Sequence, residues 1–265
     1  MKQTQIISEI LSEAPPGEYK QCEAALKGLL PKQNSLKEAT EATELQWNLS
    51  QYTYVPFNTH SAMLCAEARL PDGSFIDPVT LQTFTYNLDK KAATNTGKTV
   101  QGSPLRNLIQ EKISVYGLNS YGHYFACGAF DTKDQKVQVI LRSSSISLEN
   151  YRTGNVIAKY LVDPSKLEVK GRIQTLQHFF ENGNAVCQYG VNLDKKLSGK
   201  SPEEISNSFM EAIIEFENNF YDEYIIGLSK IGDEGLNRLR RKLPVTATKI
   251  NWEIELTTGA SMQNQ

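Results

Sequence analysis

The sequence predicts an α+β protein in which a five-stranded antiparallel sheet is covered by one long helix. Three observations lead to this fold class: helical periodicity broken by prolines in the first 50 residues, strand-like runs with short connections in the middle, and apolar residues at helical spacing over residues 202–228. Short connections favour antiparallel pairing of neighbouring strands. A chain of 265 residues that is 40% hydrophobic is long enough for one large domain or two modest ones.

Composition excludes several classes of protein. A net charge of −2 with 22% charged residues is typical of an ordinary globular protein, and argues against a wholly basic nucleic-acid binder. No stretch approaches the roughly 20 apolar residues that cross a bilayer, and the first residues lack the pattern of a signal peptide. The chain has no CxxC pair, which predicts reduced and mostly buried thiols of a cytosolic protein rather than a disulfide framework; the cysteines are Cys22, Cys65, Cys127 and Cys187.

Residues 1–50 predict a stalk of three short antiparallel helices. Apolar residues at helical spacing begin at Ile6 and stop at the Pro-Pro-Gly sequence of residues 15–17. The pattern resumes over residues 19–30, stops at Pro31, and returns over residues 36–49. Short helices separated by tight breaks are typical of an antiparallel helical unit.

Residues 51–102 predict a small β globule. Three short β-rich segments, residues 52–57, 61–70 and 81–88, are separated by turn sequences. The polar stretch that follows, residues 90–102, is predicted to be a loop.

Residues 103–200 predict a helix followed by the five-stranded sheet. Ser103 is the expected N-cap of a helix over residues 104–116, with Pro104 at its first position. Five strand-like runs with short turns follow. The clearest hairpin contains Asn182-Gly183, since this pair supplies the positive φ angles of a type I′ turn.

Residues 201–230 predict the long helix over the sheet. The sequence Ser-Pro-Glu-Glu at residues 201–204 is a capping box, and helical spacing then continues for about 27 residues, a length of about 40 Å at 1.5 Å per residue. The apolar side of this helix is wide, which favours burial on more than one side and therefore a dimer. The predicted interface residues are Phe209, Ile213, Phe216, Phe220 and Tyr224.

Sequence motifs of catalysis and cofactor binding are missing. The chain has no GxGxxG, Walker or GxSxG sequence. The three histidines, His60, His123 and His178, lack the spacing of metal ligands. We therefore expect neither an enzyme nor a cofactor or metal site.

The C-terminal segment, residues 231–265, contains an unusual basic cluster. Residues 237–252 carry five positive charges and no acidic side chain. On a helix from about Gly235, leucines would share one face and basic residues the other, until Pro244 ends it. Two interpretations stay open: a solubilising helix end that complements the helix dipole, or a docking surface for an acidic partner. Nucleic acid is disfavoured because no aromatic residues interleave with the charges.

Four segments, in order along the chain, resemble those of the F-actin capping protein α subunit family. They are APPGEY (14–19), FIDP (75–78), QHFFENGNAV (177–186) and LRRKLPVTATKINW (239–252). The resemblance implies a stalk, a globule, and a sheet that continues into the matching sheet of a β subunit. It also implies that the C-terminal segment, called a tentacle in this family, binds the barbed end of actin filaments and blocks it sterically, in the cytoplasm and without calcium, nucleotide or other cofactor.

The resemblance implies an actin-binding site in the C-terminal segment. Arg240, Arg241 and Lys249 match charged positions of the family motif, and Arg238 and Lys242 add charge. The predicted actin-binding residues are Arg238, Arg240, Arg241, Lys242, Thr246, Lys249 and Trp252.

The sequence also departs from the family pattern. Ala247 replaces an arginine of the motif, and Glu253 and Glu255 add negative charge after it. The family's tryptophan-rich segment is replaced by NYRTGNV (150–156). This divergence leaves open a second copy of this chain as the partner instead of a β subunit. The basic segment itself leaves open another class of function, a phosphoinositide- or regulator-binding adaptor.

Overall fold

The structure is a computed structural model that describes residues 3–29, 34–121, 125–181 and 185–230. Its helices are α1 (Gln3–Ser12), α2 (Tyr19–Leu29), α3 (Asn34–Ser50), α4 (Pro104–Tyr121) and α5 (Pro202–Lys230). Its strands are β1 (Tyr54–Phe57), β2 (His60–Met63), β3 (Phe75–Ile76), β4 (Gln82–Asn87), β5 (Ala92–Thr99), β6 (Phe125–Asp131), β7 (Val137–Ser147), β8 (Arg152–Asp163), β9 (Glu168–Phe179) and β10 (Ala185–Lys196).

The chain divides into two compact units. The first comprises residues 1–216 and the second begins at Glu217. The first unit therefore holds every strand named above. None of the helices in the described ranges combines the length and the hydropathy needed to cross a bilayer.

Helices α1, α2 and α3 form the predicted stalk around a small apolar core. Ile7, Leu11, Tyr19 and Trp47 are buried in this core, where the Tyr19 and Trp47 rings lie 5.1 Å apart. The indole Nε1 of Trp47 donates a hydrogen bond to the carbonyl oxygen of Ala14, at 3.0 Å. This bond holds the segment between α1 and α2 to α3. It also satisfies a backbone carbonyl just after the end of α1.

The globule contains two strands more than the sequence predicted, β3 and β5. Strands β3, β4 and β5 form an antiparallel sheet, so the prediction of a loop over residues 90–102 was wrong. Seven of the eight residues of β5 are exposed. A strand exposed on both faces carries polar residues at successive positions, and this removes the alternation by which strands are recognised.

The five-stranded antiparallel sheet is confirmed. Its strand order is β10-β9-β8-β7-β6, so neighbours in sequence are neighbours in space. Ser103 caps α4 as predicted, since its Oγ accepts a hydrogen bond from the Arg106 amide at 3.2 Å. The α4 helix extends to Tyr121, beyond the predicted end at residue 116. The predicted Asn182-Gly183 turn lies outside the described residues.

The sheet is covered on both faces within the first unit. On one face, Tyr160 of β8 is fully buried and contacts Phe209 of α5 at a ring distance of 6.1 Å. On the other face, Ile140 and Ile157 join the apolar core of the globule. The sequence predicted the face that α5 covers. It did not predict that the globule covers the other face, because polar residues on that face obscured its burial.

Candidate partner-binding surfaces

Strand β10 forms one edge of the five-stranded sheet. It pairs with β9 over twelve consecutive residues, from Ala185↔Phe179 to Lys196↔Glu168, and no described strand lies on its other side. An edge strand of an antiparallel sheet directs about half of its backbone N–H and C=O groups away from its neighbour. A long and regular edge of this kind is a ready template for a strand of another chain.

Charge is confined to one end of β10. Asp194, Lys195 and Lys196 occupy its last three positions, and each lies in an ion pair; Lys196, for example, is 3.3 Å from Glu168. The first seven residues, 185–191, carry no charge, and Val186 is 62% exposed. Since charged side chains protect edge strands from pairing, the first half of β10 is the accessible half.

The predicted interface residues of α5 do not share one exposed surface. Phe209 and Ile213 have no exposed area, because both pack in the core of their own chain. A side chain without exposed area contributes no area to an interface, so the prediction was wrong for these two. Phe220 is also buried, at 1% exposed, whereas Phe216 and Tyr224 keep some exposed area and remain predicted contacts.

Other apolar residues of α5 are exposed instead. Ile214 is 38% exposed, Ile225 63%, Ile226 52% and Leu228 40%. Ile214, Ile225 and Leu228 are separated by 11 and 14 residues, close to three and four helical turns, so they lie along one side of the helix. The wide apolar pattern in the sequence was the signal for them, but it could not separate the residues that face the sheet from those that do not.

The predicted actin-binding residues lie outside the described residues. The description of the chain ends at Lys230, within the last turn of α5. The residues concerned are Arg238, Arg240, Arg241, Lys242, Thr246, Lys249 and Trp252, and their role stays a prediction.

Two segments that carry the family resemblance meet in a buried polar cluster. The Oε1 atom of Glu18, in APPGEY, accepts a hydrogen bond from the Thr153 hydroxyl at 2.5 Å and lies 2.7 Å from Nδ1 of His178, in QHFFENGNAV. All three residues are at most 7% exposed. The cluster joins the stalk to β8 and β9. The sequence did not reveal it, because 135 and 160 residues separate Glu18 from its two partners.

The four cysteines and His60 lie in the described part of the chain. All four cysteines are free, as predicted, but only Cys65 is buried. Burial raises the pKa of the Cys65 thiol, which favours the unreactive protonated form. His60 pairs with Asp77 of the FIDP segment at 2.9 Å. The described residues contain no group of three or more metal-ligating side chains.

The comparison with known protein families decides the family of the chain. A model of the family described as F-actin capping protein alpha subunit matches residues 7–261 of its 265 residues. The chain belongs to the F-actin capping protein alpha subunit family. The resemblance inferred from the four segments is thereby confirmed. Members of this family are structural actin-binding proteins and not enzymes.

Similar proteins cover nearly the whole chain. The F-actin-capping protein subunit alpha of Schizosaccharomyces pombe is 26% identical over 263 residues, which are 97% of this chain and 98% of the relative. That of Yarrowia lipolytica is 25% identical over 246 residues, which are 93% and 89% of the two chains. A solved structure, the homodimeric actin capping protein alpha subunit from Plasmodium berghei, has a TM-score of 0.72 at 17% identity and covers 93% of this chain and 98% of its own. This structure supports the fold.

Proposed function

We propose that this chain is one subunit of a dimeric protein that caps the barbed ends of actin filaments. The observation that carries the proposal is the family match over residues 7–261, which includes the basic cluster of residues 237–252. The relatives named above are F-actin-capping subunits, and this chain matches 89% and 98% of their length. The proposed setting is the cytoplasmic actin cytoskeleton.

The mechanism that we propose is steric. A subunit dimer whose basic segments bind the filament end covers the surface on which the next actin subunit would add, so that the end neither grows nor shortens. No calcium, nucleotide or metal takes part. Complementary charge speeds the encounter with an acidic filament, and apolar contacts slow dissociation.

Strand β10 is the proposed site of dimer formation. Its uncharged residues 185–191 can add the strand of a partner through main-chain hydrogen bonds, which extends the sheet without a new core. The partner is a capping protein β subunit or a second copy of this chain. The alpha subunit from Plasmodium berghei is described as homodimeric, which makes the second copy a concrete alternative.

The decisive experiment measures barbed-end growth of pyrene-labelled actin. We expect the purified protein, with its partner, to stop elongation from filament seeds. Reversal of Arg240, Arg241 and Lys249 to glutamate should weaken capping at least about tenfold, equivalent to about 1.4 kcal/mol, because it replaces attraction by repulsion.

A matched variant controls for the change in net charge. Lys37, Lys98 and Lys133 are exposed and distant in sequence from the basic cluster, so their reversal to glutamate changes net charge equally. This control should cap like the unmodified protein. Equal capping by both triple variants would exclude the basic cluster as the contact surface.

The basic cluster also supports a second function, binding to phosphoinositides or to protein regulators. Four basic residues stand within five positions, 238–242, which is typical of segments that bind anionic headgroups. Sedimentation with phosphoinositide liposomes tests this function. An adaptor would bind the liposomes and leave actin elongation unchanged, whereas a capping protein would stop elongation.

A further inference from the structure

A cavity lies where the stalk, the globule and the five-stranded sheet meet in the first unit. Its volume is about 270 Å³. The stalk contributes Tyr19, Lys20, Glu44, Trp47 and Asn48, the globule Tyr54 and Lys91, and the sheet Arg142, Ser144 and Ile146. None of these residues belongs to the surfaces proposed above for actin or for the dimer partner.

Arg142 is the most buried charged residue that lines this cavity. Its side chain lies on β7 and the residue is only 6% exposed. The buried Nε has no hydrogen-bond partner, and no carboxylate of the described residues forms an ion pair with the guanidinium. The guanidinium lies 5.2 Å from the centroid of the Tyr54 ring. Burial lowers the pKa of Arg142, an effect that Tyr54 partly offsets.

The two lysines that line the cavity are paired with carboxylates: Glu44, which also lines it, and Glu23, which does not. Nζ of Lys20 lies 3.3 Å from Oε1 of Glu44, and Nζ of Lys91 lies 3.6 Å from the same oxygen. Lys20 also pairs with Glu23 at 2.7 Å. Two lysines therefore face two carboxylates, and the charge of Arg142 remains without a counterion among the described residues.

A buried guanidinium without a counterion destabilises a folded chain. Desolvation of a charge is costly unless an opposite charge and hydrogen bonds compensate for it. Even a buried ion pair can often be replaced by uncharged side chains of similar volume without loss of stability, so loss of a buried charge that has no counterion should not destabilise the chain. An anion that binds beside Arg142 would supply the missing compensation, because guanidinium binds carboxylate and phosphate oxygens through charge-assisted hydrogen bonds.

We propose that this cavity binds the carboxylate or phosphate group of a small molecule, held by Arg142. Ser144 and Asn48, both buried, place a hydroxyl and an amide on the wall of the same cavity. The rings of Tyr19, Trp47 and Tyr54 supply an apolar wall for the rest of the molecule. The volume lies just below the usual range for drug-sized ligands, about 300–1,000 Å³, so the ligand is small.

Thermal unfolding of the full chain, in its purified assembly, tests the site. Sodium phosphate and sodium acetate are titrated at constant ionic strength against sodium chloride. We expect at least one of the two oxyanions to raise the unfolding temperature in a saturable way, because it binds the folded state alone. Saturation by phosphate only indicates a phosphate ester as the ligand, and saturation by acetate only indicates a carboxylate.

Variants of Arg142 assign the effect to the cavity. Arg142→Gln should weaken oxyanion binding at least tenfold, and in chloride alone it should unfold at the same temperature as the unmodified chain or higher. Arg172→Gln is the control, since Arg172 is an exposed arginine of the same sheet. It should bind the oxyanion like the unmodified chain.

A second variant serves if Arg142→Gln does not fold. Lys91 is 53% exposed, so Lys91→Gln removes a charge at the surface and leaves the core unchanged. It removes one of the two lysines that pair with Glu44. The cavity then carries less positive charge, so oxyanion binding should weaken several-fold. The proposal is overturned if neither oxyanion saturates, or if the variants respond like the unmodified chain, which would identify an adventitious ion only. The measurement involves no actin, so its failure would leave the capping proposal untouched.

Discussion

At the scale of single residues, Glu18 joins parts of the chain that are distant in sequence. Its carboxylate meets the Thr153 hydroxyl at 2.5 Å and Nδ1 of His178 at 2.7 Å, and all three side chains are buried. A buried polar group that loses its partner pays its full desolvation cost, about 1–3 kcal/mol. Because Glu18 is the partner of two such groups, its contribution to the free energy of unfolding exceeds that of one ordinary hydrogen bond.

Replacement of Glu18 by alanine should therefore destabilise the chain by about 2–4 kcal/mol, since it leaves Thr153 and His178 without their acceptor. Glu18→Gln should cost less, because the amide oxygen can still accept a hydrogen bond. Urea unfolding measures both. The control is Glu13→Ala, which removes an exposed glutamate a few residues earlier. Equal stability of the Glu13 and Glu18 alanine variants would exclude the proposed role.

At the scale of elements, the turn between β8 and β9 depends on one carboxylate. Oδ1 of Asp163 accepts hydrogen bonds from the hydroxyl of Ser165 at 2.6 Å and from its amide at 3.1 Å. Nζ of Lys136 lies 3.1 Å from Oδ2. The hydrogen bond from Ser165, with Lys136, lowers the pKa of Asp163 below its usual value. The negative charge thus stabilises the fold wherever it is present.

The variant Asp163→Asn keeps an oxygen acceptor for Ser165 but removes the charge that faces Lys136. A group whose pKa is lower in the folded state stabilises the protein above its unfolded pKa, about 3.9 for Asp, and this contribution is lost as the pH falls towards the folded value. We therefore expect the variant to unfold at a lower temperature than the unmodified chain at pH 7, with a difference that shrinks below about pH 4. Asp134→Asn, at an exposed aspartate, is the control. A difference independent of pH would show that the charge has no role.

Helix α5 carries both core and surface residues, so two substitutions in it should have very different effects on stability. Phe209→Ala should cost about 3–5 kcal/mol, because it removes a fully buried ring that contacts Tyr160. Ile225→Ala should change stability by less than about 0.5 kcal/mol, since Ile225 is 63% exposed. Chemical denaturation of the two variants measures both values. A large loss of stability in Ile225→Ala would show that this side chain is covered in the folded protein.

The elements differ in how well the sequence predicted them. The start of α5 was predictable because its cap is local: Ser201 Oγ accepts a hydrogen bond from the Glu204 amide at 3.2 Å. Even there, the Glu204 carboxylate accepts from the amide of Lys200 at 2.6 Å rather than from Ser201. Strand β5 was missed because its polar residues lack alternation. Glu18 and Arg142 were missed because their settings depend on tertiary contacts between distant segments.

At the scale of the whole molecule, the question is how the chain assembles. The uncharged residues 185–191 of β10 offer an edge on which another sheet can continue. Val186 and Gln188 are both exposed and lie on the same face of the strand, since side chains two positions apart share a face. Lysines at such positions protect natural edge strands from pairing, because a buried ammonium opposes association.

The double variant Val186→Lys and Gln188→Lys should therefore remain folded but lose its partner. Light scattering of the chain alone, and of the chain with a capping protein β subunit, measures the mass of each assembly. Twice the chain's mass in the first sample identifies a homodimer, and a complex in the second sample alone identifies a heterodimer. The matched control is Thr94→Lys with Thr99→Lys, two exposed positions on β5, which should assemble like the unmodified chain. If the β10 variant keeps its partner, the subunits join through another surface, and the exposed isoleucines of α5 become the next site to test.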